Sequence, residues 1–318
     1  MHSGAATTSK LRDLFEDASR RNMADCILLS GGLDTSIVTL NSRKYSTLAG
    51  ITVSLGQAPD EKFARIIAEK FDIDHTIVRI DEIDAETVIQ EVVKVMRSFD
   101  PMEIRNDATI MIGLRQAKDL GFRSVLTGDA GDELFAGYSF LFNKEHEELE
   151  QYLADLWKIM RFASVPLAAS LSMDAKLPFL DPALKEFAMK IPVELKIREE
   201  QGTVYGKWIL RKTFEHILPN EIVWRTKMPI EQGSGTTILT KYFENKTSDD
   251  KFSAMRKFYL EGEGVKLMDK EHLAYYEVFR SIFGSPRGMG EGGKLCVGCG
   301  SRLGEQVSYC RTCGAYPT

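Results

Sequence analysis

The chain has 318 residues, with 41 Lys and Arg against 46 Asp and Glu, and its formal net charge of −5 speaks against a generally basic, nucleic-acid-coating protein. Hydrophobic residues at 43% and charged residues at 27% describe a soluble globular protein and exclude a disordered or fibrous one. Four of the five cysteines fall in the last 23 residues, which excludes a disulfide framework spread through a small secreted domain. From the N-terminus, Leu11, Leu14, Phe15 and Ala18 recur at helical spacing and predict a helix over 8–22. Cys26-Ile27-Leu28-Leu29 reads as a buried strand ending at the glycine turn Ser30-Gly31-Gly32, with a helix opening at Thr35. Strands are expected over 50–55, 75–80 and 124–126, and helices over 62–71, 85–97 and 108–120. This alternation predicts an α/β fold, a mostly parallel sheet with helices on both faces. Ligands of such sheets bind at the carboxyl ends of the strands, where the glycine turns 30–32 and 128–131 both fall.

Beyond about residue 140 helical patterns dominate, broken by Pro166, Pro178, Pro182, Pro192 and Pro219. The expected organisation is one domain over 1–284, with its α/β core to about 140 and a helical part over 141–284. A glycine-rich linker over 285–294 and a small module over 295–318 follow. In that module Cys296-x-x-Cys299-Gly300 and Cys310-x-x-Cys313-Gly314 have the spacing of two zinc knuckles. Four thiolates fill the coordination shell, so the Zn²⁺ is expected to be structural, and it would supply the folding energy that so few apolar residues cannot. Residues 286–318 carry Arg287, Lys294, Arg302 and Arg311 against Glu291 and Glu305, a surplus that a tetrathiolate site of about −2 cancels. A protein-protein or intersubunit role, or recognition of a protein-borne substrate, is therefore expected for the ribbon, ahead of RNA.

Ser30-Gly31-Gly32-Leu33-Asp34-Thr35-Ser36 joins a strand to a helix. Its glycines let backbone amides approach phosphates, the helix N-terminus adds donors, and Ser30, Thr35 and Ser36 add hydroxyls. Asp34 would repel phosphates unless it holds Mg²⁺. No Lys stands in the turn, which separates it from the Gly-Lys-Ser/Thr nucleotide loop.

This turn resembles the pyrophosphate loop of the N-type ATP pyrophosphatases, and of the asparagine synthetase group in particular. Four further stretches resemble that group in order: Ile104-Arg105-Asn106; Gly128-Asp129-Ala130-Gly131-Asp132-Glu133-Leu134-Phe135-Ala136-Gly137-Tyr138; Ala175-Lys176-Leu177-Pro178-Phe179-Leu180-Asp181; and Lys207-Trp208-Ile209-Leu210-Arg211 with Trp224-Arg225-Thr226-Lys227. The resemblance covers roughly residues 20–240. It implies an adenine nucleotide alpha hydrolase-like fold and a reaction in which a carboxylate attacks ATP, releases pyrophosphate, and passes from AMP to ammonia or an amine.

By the same resemblance Asp34 and Asp132 are the Mg²⁺ ligands. The backbone around Leu28 or Leu29, Val53, Thr127 and Gly128 would hold adenine, and Ser30, Gly31, Gly32, Thr35 and Ser36 the phosphates. Asp129 stands where the synthetases carry Glu and would handle the incoming nitrogen, with a reach shorter by about 1.5 Å. Lys227 would face the developing charge, and Arg105 would clamp a phosphate or a substrate carboxylate. Cofactors are thus expected to be ATP, Mg²⁺ and structural Zn²⁺, and the substrates a small carboxylate with ammonia or an amine. Position 2 is His2, where glutamine-dependent synthetases carry the nucleophilic cysteine of an amidohydrolase domain, so nitrogen is expected from free ammonia, from an amine on a second substrate, or from a separate glutaminase chain or protein partner. A homo-oligomer is compatible with the sequence. Cys26 reads as a buried, inert thiol. No apolar run approaches the roughly 20 residues that span a bilayer and no signal-peptide core is visible, so the cytoplasm is the expected compartment. Two alternatives stay open: an RNA-modifying relative that adenylates a base and uses the ribbon to bind RNA or a partner, and a nucleotide-binding regulator without turnover.

Overall fold

A computed structural model describes residues 4–56 and 58–318; the reading of His2 lies outside the described residues. The core is a five-stranded sheet formed by β1 (Cys26–Leu28), β2 (Ala49–Leu55), β3 (Asp74–Ile80), β4 (Ser124–Leu126) and β5 (Asp174–Lys176). The spatial order is β3-β2-β1-β4-β5, with parallel pairing along β2-β1-β4-β5. The expected α/β sheet flanked by helices is observed. Strand order reverses between β1 and β4, so the turns after Leu28 and Leu126 open side by side at one end of the sheet.

The helices along this part of the chain are α1 (Gly4–Arg21), α2 (Leu33–Ser42), α3 (Pro59–Phe71), α4 (Glu82–Met96), α5 (Pro101–Asp119), α6 (Gly131–Phe135), α7 (His146–Ile159) and α8 (Ser164–Ser170). Side chains alternate across a strand, and β1 shows the consequence. Ile27 and Leu29 enter a buried cluster with Leu11, Phe15, Ile37 and Ile67. Leu28 turns the other way, where Gly113 of α5 packs on Leu28 and Val53; a Cβ at 113 would lie 2.9 Å from the Leu28 side chain. Edge contacts from Phe179 and Phe214 to Phe15 complete the first side.

Two compact units divide the contacts, one over 1–53, 59–78 and 113–229, the other over 54–58, 79–112 and 230–318. The first holds most of the sheet, both glycine turns and the mainly helical stretch that follows them. One strand there, β5, was not anticipated: Asp-Ala-Lys has no apolar alternation, yet its register runs from Ser124↔Asp174 to Leu126↔Lys176. In the second unit the chain runs through α4 and the first turns of α5 to helices at Ile238–Lys246, Asp249–Glu263 and Lys270–Phe283, and then the cysteine module. Helix α5 begins about two turns before the start expected from apolar periodicity. Asp100 accepts from the Met102 amide at 3.1 Å and Pro101 stands at the first helical position, so the cap sets the boundary. Among the described residues no helix is long and apolar enough to cross a membrane.

Candidate active site

The glycine turn is built for close approach. Gly31 has φ +67°, and a Cβ there would lie 2.2 Å from the Phe63 carbonyl carbon, so the turn can press against α3 only as glycine. Gly32 caps α2, its amide donating to Ser30 Oγ at 3.2 Å, while Ser36 Oγ donates to the Gly32 carbonyl at 2.7 Å. Ser30 Oγ and Thr35 Oγ1 lie 3.2 Å apart. The first turn of α2 thus opens beside two hydroxyls, a setting that favours phosphate.

Asp34 projects from that turn toward the loop after β4. Gly128 and Gly131 are packed against it: Cβ atoms there would lie 3.0 Å from Asp34 Cβ and 2.5 Å from its carboxyl carbon. Asp132, in the first turn of α6, does not cap the helix, whose N-cap is Ala130 in the left-handed region. Its Oδ1 lies 2.8 Å from Lys207 Nζ, and the same ammonium donates to Asp34 Oδ2. Gly137 makes the approach possible, because a Cβ there would overlap Asp132 Oδ1 at 1.9 Å and Lys207 Cε at 2.4 Å. Lys207 is itself left-handed, with φ +56°, and so are Ala130 and Ala136; backbone strain of this kind gathers at functional sites. Lys227 Nζ lies 3.8 Å from Asp132 Oδ2 and 4.6 Å from the Tyr138 ring centre.

The charges are unevenly shared. Burial raises Asp34 above the ordinary carboxylate range, Lys207 only partly opposes this, and Asp132 adds to it. Burial also acts on Asp132, but the attraction of Lys207 and Lys227 outweighs it and holds that carboxyl low. Lys207 loses basicity to burial and regains more from Asp132 and Asp34. Among the described residues no donor reaches the buried Asp34 Oδ1. An orphaned carboxylate oxygen, with a second carboxylate on the same lysine, is a hard oxygen donor set, and these residues fit Mg²⁺.

Asp129 lies on the same loop. Its Oδ2 accepts from Thr127 Oγ1 at 3.0 Å and from Ser164 Oγ at 2.5 Å, while burial lifts its pKa above the usual range. Thr127 is buried and donates its amide to the Lys176 carbonyl at 3.1 Å, so β5 braces this loop. Lys227 is anchored through its neighbours. Arg225 donates to Asp60 Oδ1 at 2.5 Å and stacks 3.8 Å from the Phe63 ring centre, and Arg211 donates to the carbonyls of Val223 and Arg225.

The structure brings together Ser30 to Ser36, Asp34, Asp132 and Lys227, and places Thr127, Gly128 and Asp129 on the adjoining loop. Leu28 and Val53 meet beneath Gly113. Arg105 belongs to the second unit, where it donates to Glu231 Oε2 at 2.6 Å and Glu271 Oε2 at 2.7 Å. Two contributors went unassigned by sequence reasoning. Lys207 opens a motif that was recognised without a role for its first residue. Ser164 lies 35 residues beyond its partner with no local pattern to mark it. Asp181, by contrast, is structural: Arg21 grips it at 2.7 and 2.8 Å, and it caps the helix at Pro182–Lys190. His75 is equally structural, 2.8 Å from Thr52 Oγ1.

The asparagine synthase family model matches residues 10–164 and 163–288. The chain belongs to the asparagine synthase family. Similar proteins include asparagine synthetase [glutamine-hydrolyzing] 2 of Lotus japonicus, 32% identical over 250 residues, or 71% of this chain and 42% of that one. Its counterpart from Asparagus officinalis is 30% identical with the same coverage. Asparagine synthetase B [glutamine-hydrolyzing] of Escherichia coli (strain K12) is 27% identical over 305 residues, 87% of this chain and 54% of that one. The chain therefore spans about half the length of the curated relatives it matches.

The cysteine module is a second site, belonging to the second unit. A two-stranded ladder of β6 (Lys294–Leu295) and β7 (Arg302–Leu303) brackets the first knuckle and precedes the second, and the knuckle glycines, Gly300 and Gly314, have φ +72° and +77°. The ligand atoms of Cys296, Cys299, Cys310 and Cys313 all lie within 4.8 Å of one another, and all four residues are buried. Sulfur separations of 3.6 Å (Cys296 to Cys313) and 3.8 Å (Cys299 to Cys310) match the edge of about 3.8 Å that a tetrahedron of 2.3 Å zinc–sulfur bonds requires. The donor set fits zinc.

Proposed function

We propose that this chain is an ATP-dependent, AMP-forming ligase that adenylates a carboxylate and passes it to ammonia or an amine as an amide. The observation that carries the reading is the convergence of Asp34 and Asp132, from two adjacent strand-end loops, on one buried lysine beside a phosphate-type glycine turn. Membership of the asparagine synthase family supports the same reaction class. The turn at 30–36 binds the phosphates, and the backbone around Leu28 or Leu29, Val53, Thr127 and Gly128 takes the adenine. Mg²⁺ held by Asp34 and Asp132 would neutralise phosphate charge when bound. Lys207 keeps the two carboxylates from repelling one another, and Lys227 stabilises the charge that develops as the acyl group leaves phosphate. Asp129, fixed by Ser164 and Thr127 through one oxygen, keeps Oδ1 to orient the incoming nitrogen and accept its proton. Arg105 acts as a positioning residue, holding Glu231 and Glu271. The four cysteines hold a structural Zn²⁺.

Aspartate with ammonia is the reference substrate pair, and the shorter acid at 129 leaves room for another carboxylate. A sulfur-transferring RNA enzyme would need a reactive core thiol. Cys26 is fully buried, with its thiol pushed up to about 12. Isotope exchange between pyrophosphate and ATP, run across a panel of carboxylic acids, tests the assignment. Exchange that depends on one acid and on Mg²⁺ is expected. ATP binding with no exchange for any acid would sink the reading and favour a nucleotide-binding regulator.

A further inference from the structure

The second cysteine knuckle rests on the start of α5. Ser98 Oγ donates to the Arg311 carbonyl at 2.7 Å, and the Phe99 amide donates to the Thr312 carbonyl at 2.8 Å. Tyr309 donates its hydroxyl to Asp100 Oδ2. Gly314 closes the contact, since a Cβ there would lie 2.6 Å from Asp100 Oδ1. The three residues engaged, Ser98, Phe99 and Asp100, are those that launch the helix. Asp100 Oδ1 accepts from the Met102 amide, and the Asp100 carbonyl accepts from Ile104 at 2.9 Å. One residue on, Arg105 binds Glu231 and Glu271, and Asn106 Oδ1 accepts the Glu231 amide at 2.9 Å. Thr236 Oγ1 donates to the Arg105 carbonyl at 3.2 Å. All of these residues lie in one compact unit.

We propose that the four-cysteine knuckle is a metal-dependent brace for the first turns of α5, so that metal held by Cys296, Cys299, Cys310 and Cys313 keeps Asp100, Arg105 and the 231–236 segment in place. The zinc would then act as a positioning element for a stretch that continues the chain only four residues beyond Lys227. The link is one of hydrogen bonds and ion pairs: the thiols order residues 309–314, those residues hold the Asp100 cap, and the cap holds the turn bearing Arg105. The inference rests on the metal reading of the four thiols, and the experiment separates the two.

Zinc content is measured by elemental analysis on the full chain, and amide hydrogen exchange is followed by mass spectrometry over 98–107 and 231–237. Three samples are compared: the zinc-loaded chain, the chelator-treated chain and Tyr309→Phe, which leaves all four thiols intact. One zinc per chain is expected in the untreated protein and in Tyr309→Phe. Exchange in both segments should rise about tenfold on chelation, and by a similar factor in Tyr309→Phe, the cost of one hydrogen bond to a carboxylate. Protection elsewhere, such as in β1 and β4, serves as the folding control. Absence of bound zinc overturns both the metal reading and the brace. Bound zinc with unchanged exchange at 102–107 and 231–237 on chelation overturns the brace alone.

Discussion

Lys207 is the residue on which the proposed site turns, because two carboxylates this close cannot both stay ionised in a dry setting without a cation between them. Replacing it by Met keeps the bulk and removes the charge, leaving Asp34 and Asp132 with only the more distant Lys227 to offset them. The expected loss of stability is about 3–5 kcal/mol, read by urea denaturation, and Mg²⁺ should recover part of it. A loss under 1 kcal/mol would mean that Lys207 does not hold the pair. Asp129 makes the opposite kind of prediction. Burial raises its folded pKa above the unfolded value, so the stability it contributes is fully present below the unfolded pKa and is lost as pH rises through the folded one. Asp129→Asn can still accept from Ser164 and Thr127, so its stability should fall less across that window while amide formation drops by about 100-fold or more. A variant that loses activity and stability together at neutral pH would instead mark Asp129 as a structural residue.

At the scale of elements, helices with apolar faces and caps were the easiest features to read. The buried face of α1 contains Leu11, Leu14, Phe15 and Ala18, the four residues that predicted it. Strand β5 and the true start of α5 escaped, for different reasons. A three-residue polar strand has no periodicity of its own and exists through its pairing with β4, whereas α5 starts at an Asp-Pro cap that apolar spacing does not register. Much the same holds for the site. The glycine turn and the loop at 128–132 are contiguous and therefore legible, but Lys207 and Ser164 reach it across long stretches of chain. The loop carrying Lys227 illustrates the dependence. Its position comes from Arg225, clamped between Asp60 and the Phe63 ring on α3, the helix that also backs Gly31. Arg225→Lys keeps the charge but loses the planar stacking and the guanidinium fork. It should lower kcat by about tenfold or more with little change in folding stability. Rate constants close to those of the unaltered protein would show that the loop is held by other contacts.

For the molecule as a whole, the two proposed metal sites differ in chemical hardness. Asp34 and Asp132 offer carboxylate oxygens beside a phosphate-binding turn, which suits Mg²⁺ arriving with ATP. The four sulfurs at 3.6 and 3.8 Å separations offer a soft, closed shell that Mg²⁺ cannot use. The ribbon has little apolar content, and Leu295, Val297 and Tyr316 are exposed, so on the proposed zinc reading its fold rests on the metal more than on a core of its own. Chelation with a zinc-selective ligand should therefore lower the midpoint of thermal unfolding by more than about 5 °C. Restoring Zn²⁺ should recover the midpoint, and a large excess of Mg²⁺ should not. Mg²⁺ with ATP should raise the midpoint by mass action while leaving the zinc content unchanged. Differential scanning calorimetry paired with elemental analysis decides between the outcomes. Recovery of the chelated protein by Mg²⁺ alone, or a chelated protein as stable as the untreated one, would remove the structural role assigned to the thiols.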